Sequence, residues 1–112
     1  MMNSKQQLDT LIRAIEEKKG ENIRVIDISS VSVMADYFVI CSGKNANQLR
    51  AIADEAEEQL GKAGIRPKQV EGYNSSGWIL MDYGDIIVHI FNEEMRLYYD
   101  IERIWSDGKI LR

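Results

Sequence analysis

Apolar positions at the start of the chain follow a helical rhythm: Leu8, Leu11, Ile12 and Ile15 recur every three or four residues. That stripe predicts a helix capped by Ser4, with Gln7 at the capping-box position. Lys18 and Lys19 suit its C-terminal end, and Gly20 suits the position beyond it. A short strand over 22–28 follows, carried by Ile23, Val25, Ile26 and Ile28, and then a loop at Ser29–Ser32. The dense aromatic and β-branched run from Asp36 to Cys41 predicts a buried strand, broken by Ser42-Gly43-Lys44. Asn45 caps a second helix, with Gln48 at its capping-box position and a stripe of Leu49, Ile52, Ala53, Ala56, Leu60 and Ala63. The small residues in that stripe imply close approach to a sheet, and Gly64 ends the helix. Pro67 restricts 66–71 to a short edge strand at best. A loop spans 72–77. Asn92 caps a last helix whose apolar side is Met95, Tyr98, Tyr99, Ile101, Ile104 and Trp105, with Glu93 and Glu94 at its positive end. The order is α-β-β-α-β-β-β-α, an α/β domain on one mixed β-sheet flanked by helices, with residues 1–112 as a single domain.

Between the loop and the last helix lies the most informative segment. Trp78–Asp82 and Asp85–Phe91 read as a hairpin turned at Tyr83-Gly84 or at Gly84-Asp85, since glycine suits either primed turn. Both strands are apolar on both faces. Ile79, Met81, Ile86, Val88 and Ile90 form one face, the better candidate for the core beneath the helices. Trp78, Leu80, Ile87, His89 and Phe91 form the other, with Asp82 at its end. This mixed face is either a second core layer or an exposed patch that meets a partner. As a docking surface it offers Trp78, Leu80, Asp82, His89 and Phe91, with Tyr83 at the turn as a lesser contributor; tryptophan is enriched among binding hot spots.

Composition narrows the class. The 112 residues are 45% hydrophobic and 29% charged, enough for one folded domain without staples. A single cysteine, Cys41, cannot form an internal disulfide and fits a reducing cytoplasm. The first residues, Met1 to Gln7, resemble neither a signal peptide nor a transit peptide. No apolar run approaches the ~18 residues that span a bilayer. The net charge of −4, with scattered Lys and Arg and an acidic helix (Asp54, Glu55, Glu57, Glu58), speaks against extensive direct binding of nucleic acid. A basic protein partner fits that charge.

Candidate chemistry is sparse. His89 is the single histidine, and a metal centre needs three or four ligands, so neither a metal nor a cofactor is expected. Cys41 lies in an apolar strand and lacks the Gly-x-Ser-x-Gly setting of a nucleophile elbow. Ser42-Gly43-Lys44-Asn45 occupies an anion-site position between strand and helix but lacks the first glycine and the hydroxyl of a phosphate-binding loop. Asp100 and Glu102 sit two apart on a helix, where they diverge by about 200° and pair instead with Arg96 or Arg103 or face solvent. No catalytic residue emerges.

Longer stretches of sequence are distinctive. Ala35-Asp36-Tyr37-Phe38-Val39-Ile40-Cys41-Ser42-Gly43 and Gln48–Glu55, then Glu71-Gly72, Trp78–Asp85, Ile87–Phe91, Glu94, Arg96 and Tyr99–Trp105, resemble the ribosomal silencing factor (RsfS, Iojap) family across roughly residues 5–106. The resemblance implies a nucleotidyltransferase-like fold without its catalytic acids. It implies binding to the large ribosomal subunit through large-subunit protein fourteen, steric exclusion of the small subunit, and repression of translation under nutrient limitation. Members also act in large-subunit biogenesis in organelles, and can form homodimers in isolation. Lack of a transit peptide favours a bacterial member. Several relatives carry Ala or Thr near Cys41 and Lys44, which weakens any role for those side chains. The alternative function is a small nucleotidyltransferase-like enzyme using the Ser42-Gly43 turn, against which the missing pair of strand-borne carboxylates speaks.

Overall fold

The computed structural model describes residues 2–112; Met1, where the segment read for targeting signals begins, lies outside the described residues. Helix α1 spans Ser4–Glu17. Its cap is Asn3, not Ser4: Asn3 Oδ1 accepts from the Gln6 backbone N–H at 2.9 Å, and Gln6 Oε1 accepts from the Asn3 N–H at 2.9 Å. Asn3 and Gln6 thus form the reciprocal box one residue upstream of the expected pair, and asparagine caps as well as serine does. At the other end Lys19 takes the left-handed conformation (φ 65°), while Gly20 donates its N–H to the Ile15 carbonyl at 2.9 Å. Glycine is needed at 20 because a Cβ there would collide with the Ile15 side chain.

Strand β1 (Glu21–Asp27) pairs antiparallel with β2 (Tyr37–Gly43), with one extra residue in β1 between Glu21 and Arg24. Asn22, at φ 52°, absorbs that bulge. Strand β2 does not break at Ser42; it stays paired through Gly43, which lies opposite Asn92 of β5 (Ile86–Asn92) in the sheet's one parallel pairing among the described residues. Helix α2 (Ala46–Gly61) is capped by Asn45 as expected, with Oδ1 accepting from Gln48 N–H at 2.9 Å. The Gln48 side chain does not complete a box. It accepts from Lys44 N–H at 2.6 Å and donates to the carbonyls of Lys18 and Lys19, clamping the α1 terminus to the α2 start. Strand β3 (Gln69–Glu71) is the short edge strand, paired with β4 (Trp78–Asp82).

The sheet order is β3-β4-β5-β2-β1-β6. Strand β6 (Lys109–Ile110) pairs with β1, opposite Ile26 and Asp27, and no pattern in the sequence announced it. Gly108 admits this return, because a Cβ there would lie 2.7 Å from Ile26 Cγ2 and 2.8 Å from the Asp27 carbonyl oxygen.

One face of the sheet lies under α1 and α2. Its core joins Leu11, Ile15, Leu49, Ile52 and Leu60 to Val39, Ile79, Met81, Val88 and Ile90, with Ala53 and Ala56 where α2 comes close. The other face carries a second, smaller core of Ile26, Ile28, Ala35, Phe38, Ile40 and Phe91. The last helix does not run unbroken over it. It divides into α3 (Glu93–Tyr99) and α4 (Ile101–Ile104) at Asp100, whose φ of 47° is left-handed. Aspartate tolerates that conformation better than most side chains. The bend brings Ile101 and Trp105 down onto the second core, while Leu97, Tyr98 and Ile104 face outward, at 73%, 78% and 68% exposure. Tyr98 and Ile104 therefore leave the apolar side expected of them.

Candidate functional site

The hairpin settles its register at the turn. Tyr83 N–H donates to the Ile86 carbonyl at 2.9 Å, leaving Gly84-Asp85 as the two loop residues. Of the two, Gly84 alone has positive φ, 89°, as a type II′ turn requires at its first position. Asp82 Oδ1 accepts from the Gly84 N–H at 2.8 Å and braces the turn. Trp78 thereby faces Phe91, and Leu80 faces His89.

The mixed face divides between its two open readings. Phe91 is wholly buried and His89 is 5% exposed, so both belong to the second core layer and present no surface for direct contact. Trp78, Leu80 and Asp82 lie half-buried along the rim of that layer. Tyr83 packs on the other face of the sheet, against the α1–α2 core. There burial, with a smaller contribution from Glu57, raises its phenol above the usual range. It is thus separated from Trp78 by the sheet itself.

Three groups hold the Trp78 ring. Phe91 stacks on it at 4.8 Å between centroids, Tyr99 of α3 closes from 4.6 Å, and Trp78 Nε1–H donates to His89 Nδ1 at 3.2 Å. His89 in turn lies edge-on to Phe38 at 4.8 Å and parallel to Phe91 at 5.9 Å. Backbone geometry adds a frame. Ser75 Oγ donates to the Trp78 carbonyl at 2.9 Å and accepts from the Trp78 N–H at 3.3 Å. The preceding Gly72 has φ 74° and sits so close that a Cβ would strike the Trp78 carbonyl oxygen. Tyr99 was the residue missed at this site. Four apolar side chains at 95, 97, 98 and 99 overfill one helical stripe, and that surplus was the available signal.

Helix α3 is anchored by Arg96, 8% exposed. Its Nη1 donates to Ser42 Oγ at 2.7 Å, and Nε and Nη2 donate to the two Glu102 oxygens at 2.8 and 3.3 Å. Arg24 approaches Glu102 at 3.6 Å, and Asp100 pairs with Arg103 at 3.0 Å. Both carboxylates of the Asp100–Glu102 pair are thus matched to arginines, and the Ser42 hydroxyl is buried beneath α3 rather than presented to a phosphate. Cys41 is sealed in the first core, where burial pushes its thiol up to about 12. A thiol held protonated in this way is a poor nucleophile. Among the described residues, no three His, Cys, Asp or Glu side chains group as a metal site, and no helix is long and apolar enough to cross a membrane.

His89 also has a consequence for stability. Burial lowers its imidazole from the usual 6.5 to about 4. Unfolding exposes an imidazole that takes up a proton below pH 6.5, while the folded one stays neutral until about pH 4. Stability present above pH 6.5 is therefore lost as pH falls through that window, by on the order of 3 kcal/mol. Urea midpoints measured from pH 7 to pH 4 should fall more steeply for the parent than for His89→Gln, which has nothing to protonate. Parallel curves would show that His89 is not buried neutral.

Comparison with known proteins identifies the family. Residues 1–111 match the family model described as "Ribosomal silencing factor during starvation". The chain belongs to the ribosomal silencing factor family. A ribosomal silencing factor RsfS of Bacillus subtilis is 38% identical, over 97% of this chain and 92% of the relative. A crystal structure of a protein from Chromobacterium violaceum superposes with a TM-score of 0.91 at 31% identity, covering 94% of this chain and 88% of that one. A more distant relative in mouse, 25% identical over 94% of this chain and 47% of its own length, is named mitochondrial assembly of ribosomal large subunit protein 1. The mixed sheet between two helical layers is thus a ribosomal silencing factor fold.

Proposed function

We propose that this chain acts by occupancy rather than catalysis: it binds the large ribosomal subunit through large-subunit protein fourteen and sterically blocks the small subunit, repressing translation when nutrients are limiting. Membership of the silencing-factor family over nearly the whole chain carries this reading. The site is consistent with it. A partly buried tryptophan on a two-strand platform, in contact with Tyr99 and through it with the exposed Tyr98, has the make-up of a protein-docking surface. The rim comprises Trp78, Leu80 and Asp82; His89 and Phe91 support it from beneath. A nucleotidyl-transfer reading fares worse, because the acids and the serine it would use are engaged by arginines. The mouse relative's name favours a further role in large-subunit assembly.

Subunit joining tests the proposal. Saturating protein, added to purified large subunits before small ones, should reduce the light-scattering rise of joined ribosomes and should sediment with large subunits in a sucrose gradient. Unchanged joining at saturation would reject occupancy as the mechanism.

A further inference from the structure

We propose that His89 is a positioning residue for docking, holding the Trp78 indole in the orientation that the ribosomal partner meets. The proposal rests on the reading that the Trp78 rim is the docking surface.

A strand position between Phe38 and Phe91, opposite Leu80, is a place where a purely structural demand selects an apolar side chain. The chain places an imidazole there instead. Its Nδ1 accepts from Trp78 Nε1–H at 3.2 Å, which assigns the neutral tautomer with the proton on Nε2. That Nε2 is buried and has no hydrogen-bond partner among the described residues. An orphaned buried donor destabilises a fold, so packing alone disfavours histidine at this position. The bond does not rescue a wholly buried indole either, because Trp78 is only partly buried. What the bond does supply is direction. With Phe91 on one side, Tyr99 on another and Nδ1 fixing the nitrogen edge, the ring keeps one rotamer before any partner arrives. Ordering a large side chain in advance removes that entropy cost from association.

The experiment measures binding to purified large subunits by co-sedimentation, with folding checked by circular dichroism, for the parent, His89→Leu, His89→Gln, Trp78→Phe and the double variant Trp78→Phe/His89→Leu. His89→Leu removes the acceptor and should weaken binding about tenfold. His89→Gln, whose amide oxygen can accept the same N–H, should restore binding to within about threefold of the parent. In the Trp78→Phe background, where no donor exists, His89→Leu should change binding by less than about twofold, a coupling that a merely structural role would not produce. Should His89→Leu fail to fold, Trp78→Phe alone breaks the same bond while keeping an aromatic ring, and His89→Gln should then add nothing to its loss. A folded His89→Leu that binds like the parent overturns the proposal. So does a loss of equal size with and without the Trp78 donor. If the parent itself fails to sediment with large subunits, the docking reading falls and this proposal falls with it, whereas parental binding with an unaffected His89→Leu rejects only the positioning role.

Discussion

Replacing Phe91 with alanine is expected to cost about 3–5 kcal/mol, a large share of the 5–15 kcal/mol that typically separates folded from unfolded domains. Phe91 has no exposed surface, and its ring is the floor on which Trp78 and the α3 segment rest. The second core is small, so few neighbours can close over the cavity. Urea unfolding followed by circular dichroism should show the midpoint displaced well below that of the parent. Leu97→Ala, at 73% exposure on the adjacent helix, is the internal comparison and should stay within about 0.5 kcal/mol. A Phe91→Ala midpoint equal to the parent's would mean that Phe91 is not packed into the second core.

That outcome bears on how far the sequence could be read. The first core was legible because α1 and α2 show a single stripe each and the hairpin alternates cleanly, so Leu11, Ile15, Leu49, Ile52 and Ile79 all lie where period and pleat put them. Capping was legible to within one residue. Asn3 displaced Ser4 because two adjacent side chains were both competent caps, and only the reciprocal bond to Gln6 distinguishes them. The face that carries the second core was less legible, since an apolar strand face looks the same whether a helix covers it or a partner does. The deciding feature was the left-handed Asp100, a tertiary choice without a glycine to flag it. It splits the last helix, returns Glu102 to Arg96, seats Trp105 on Phe38 at 5.3 Å and leaves Ile104 exposed.

The candidate site followed the same divide. Face membership came correctly from alternation for Trp78, Leu80, Asp82, His89 and Phe91, but depth did not. Within one face the register places Phe91 over the centre of the sheet and Trp78 on the strand next to the edge. Tyr83, expected at the turn as a lesser contributor, packs against the α1–α2 core, because a residue at a turn still obeys the pleat and an odd-numbered position here shares the face of Ile79 and Met81. Sequence similarity carried the family assignment further than periodicity could carry any function.

The sharpest test of the docking face compares adjacent residues on opposite sides of one strand. Trp78→Ala should weaken binding to large subunits by at least about 2 kcal/mol, roughly 30-fold, because a clamped aromatic ring on a rim is the kind of side chain that dominates an interface. Its stability loss should be the smaller effect, since part of the indole already faces solvent and solvent can occupy the space it leaves. Ile79→Ala should do the reverse. Ile79 is fully buried under α2 and contacts no surface, so truncation should lower stability by about 2–5 kcal/mol while the folded fraction binds like the parent. Melting temperature and co-sedimentation measured side by side separate the two. A Trp78→Ala protein that stays folded and binds as well as the parent would remove this face from the interface, and one that unfolds as readily as Ile79→Ala would make Trp78 a core residue rather than a docking one.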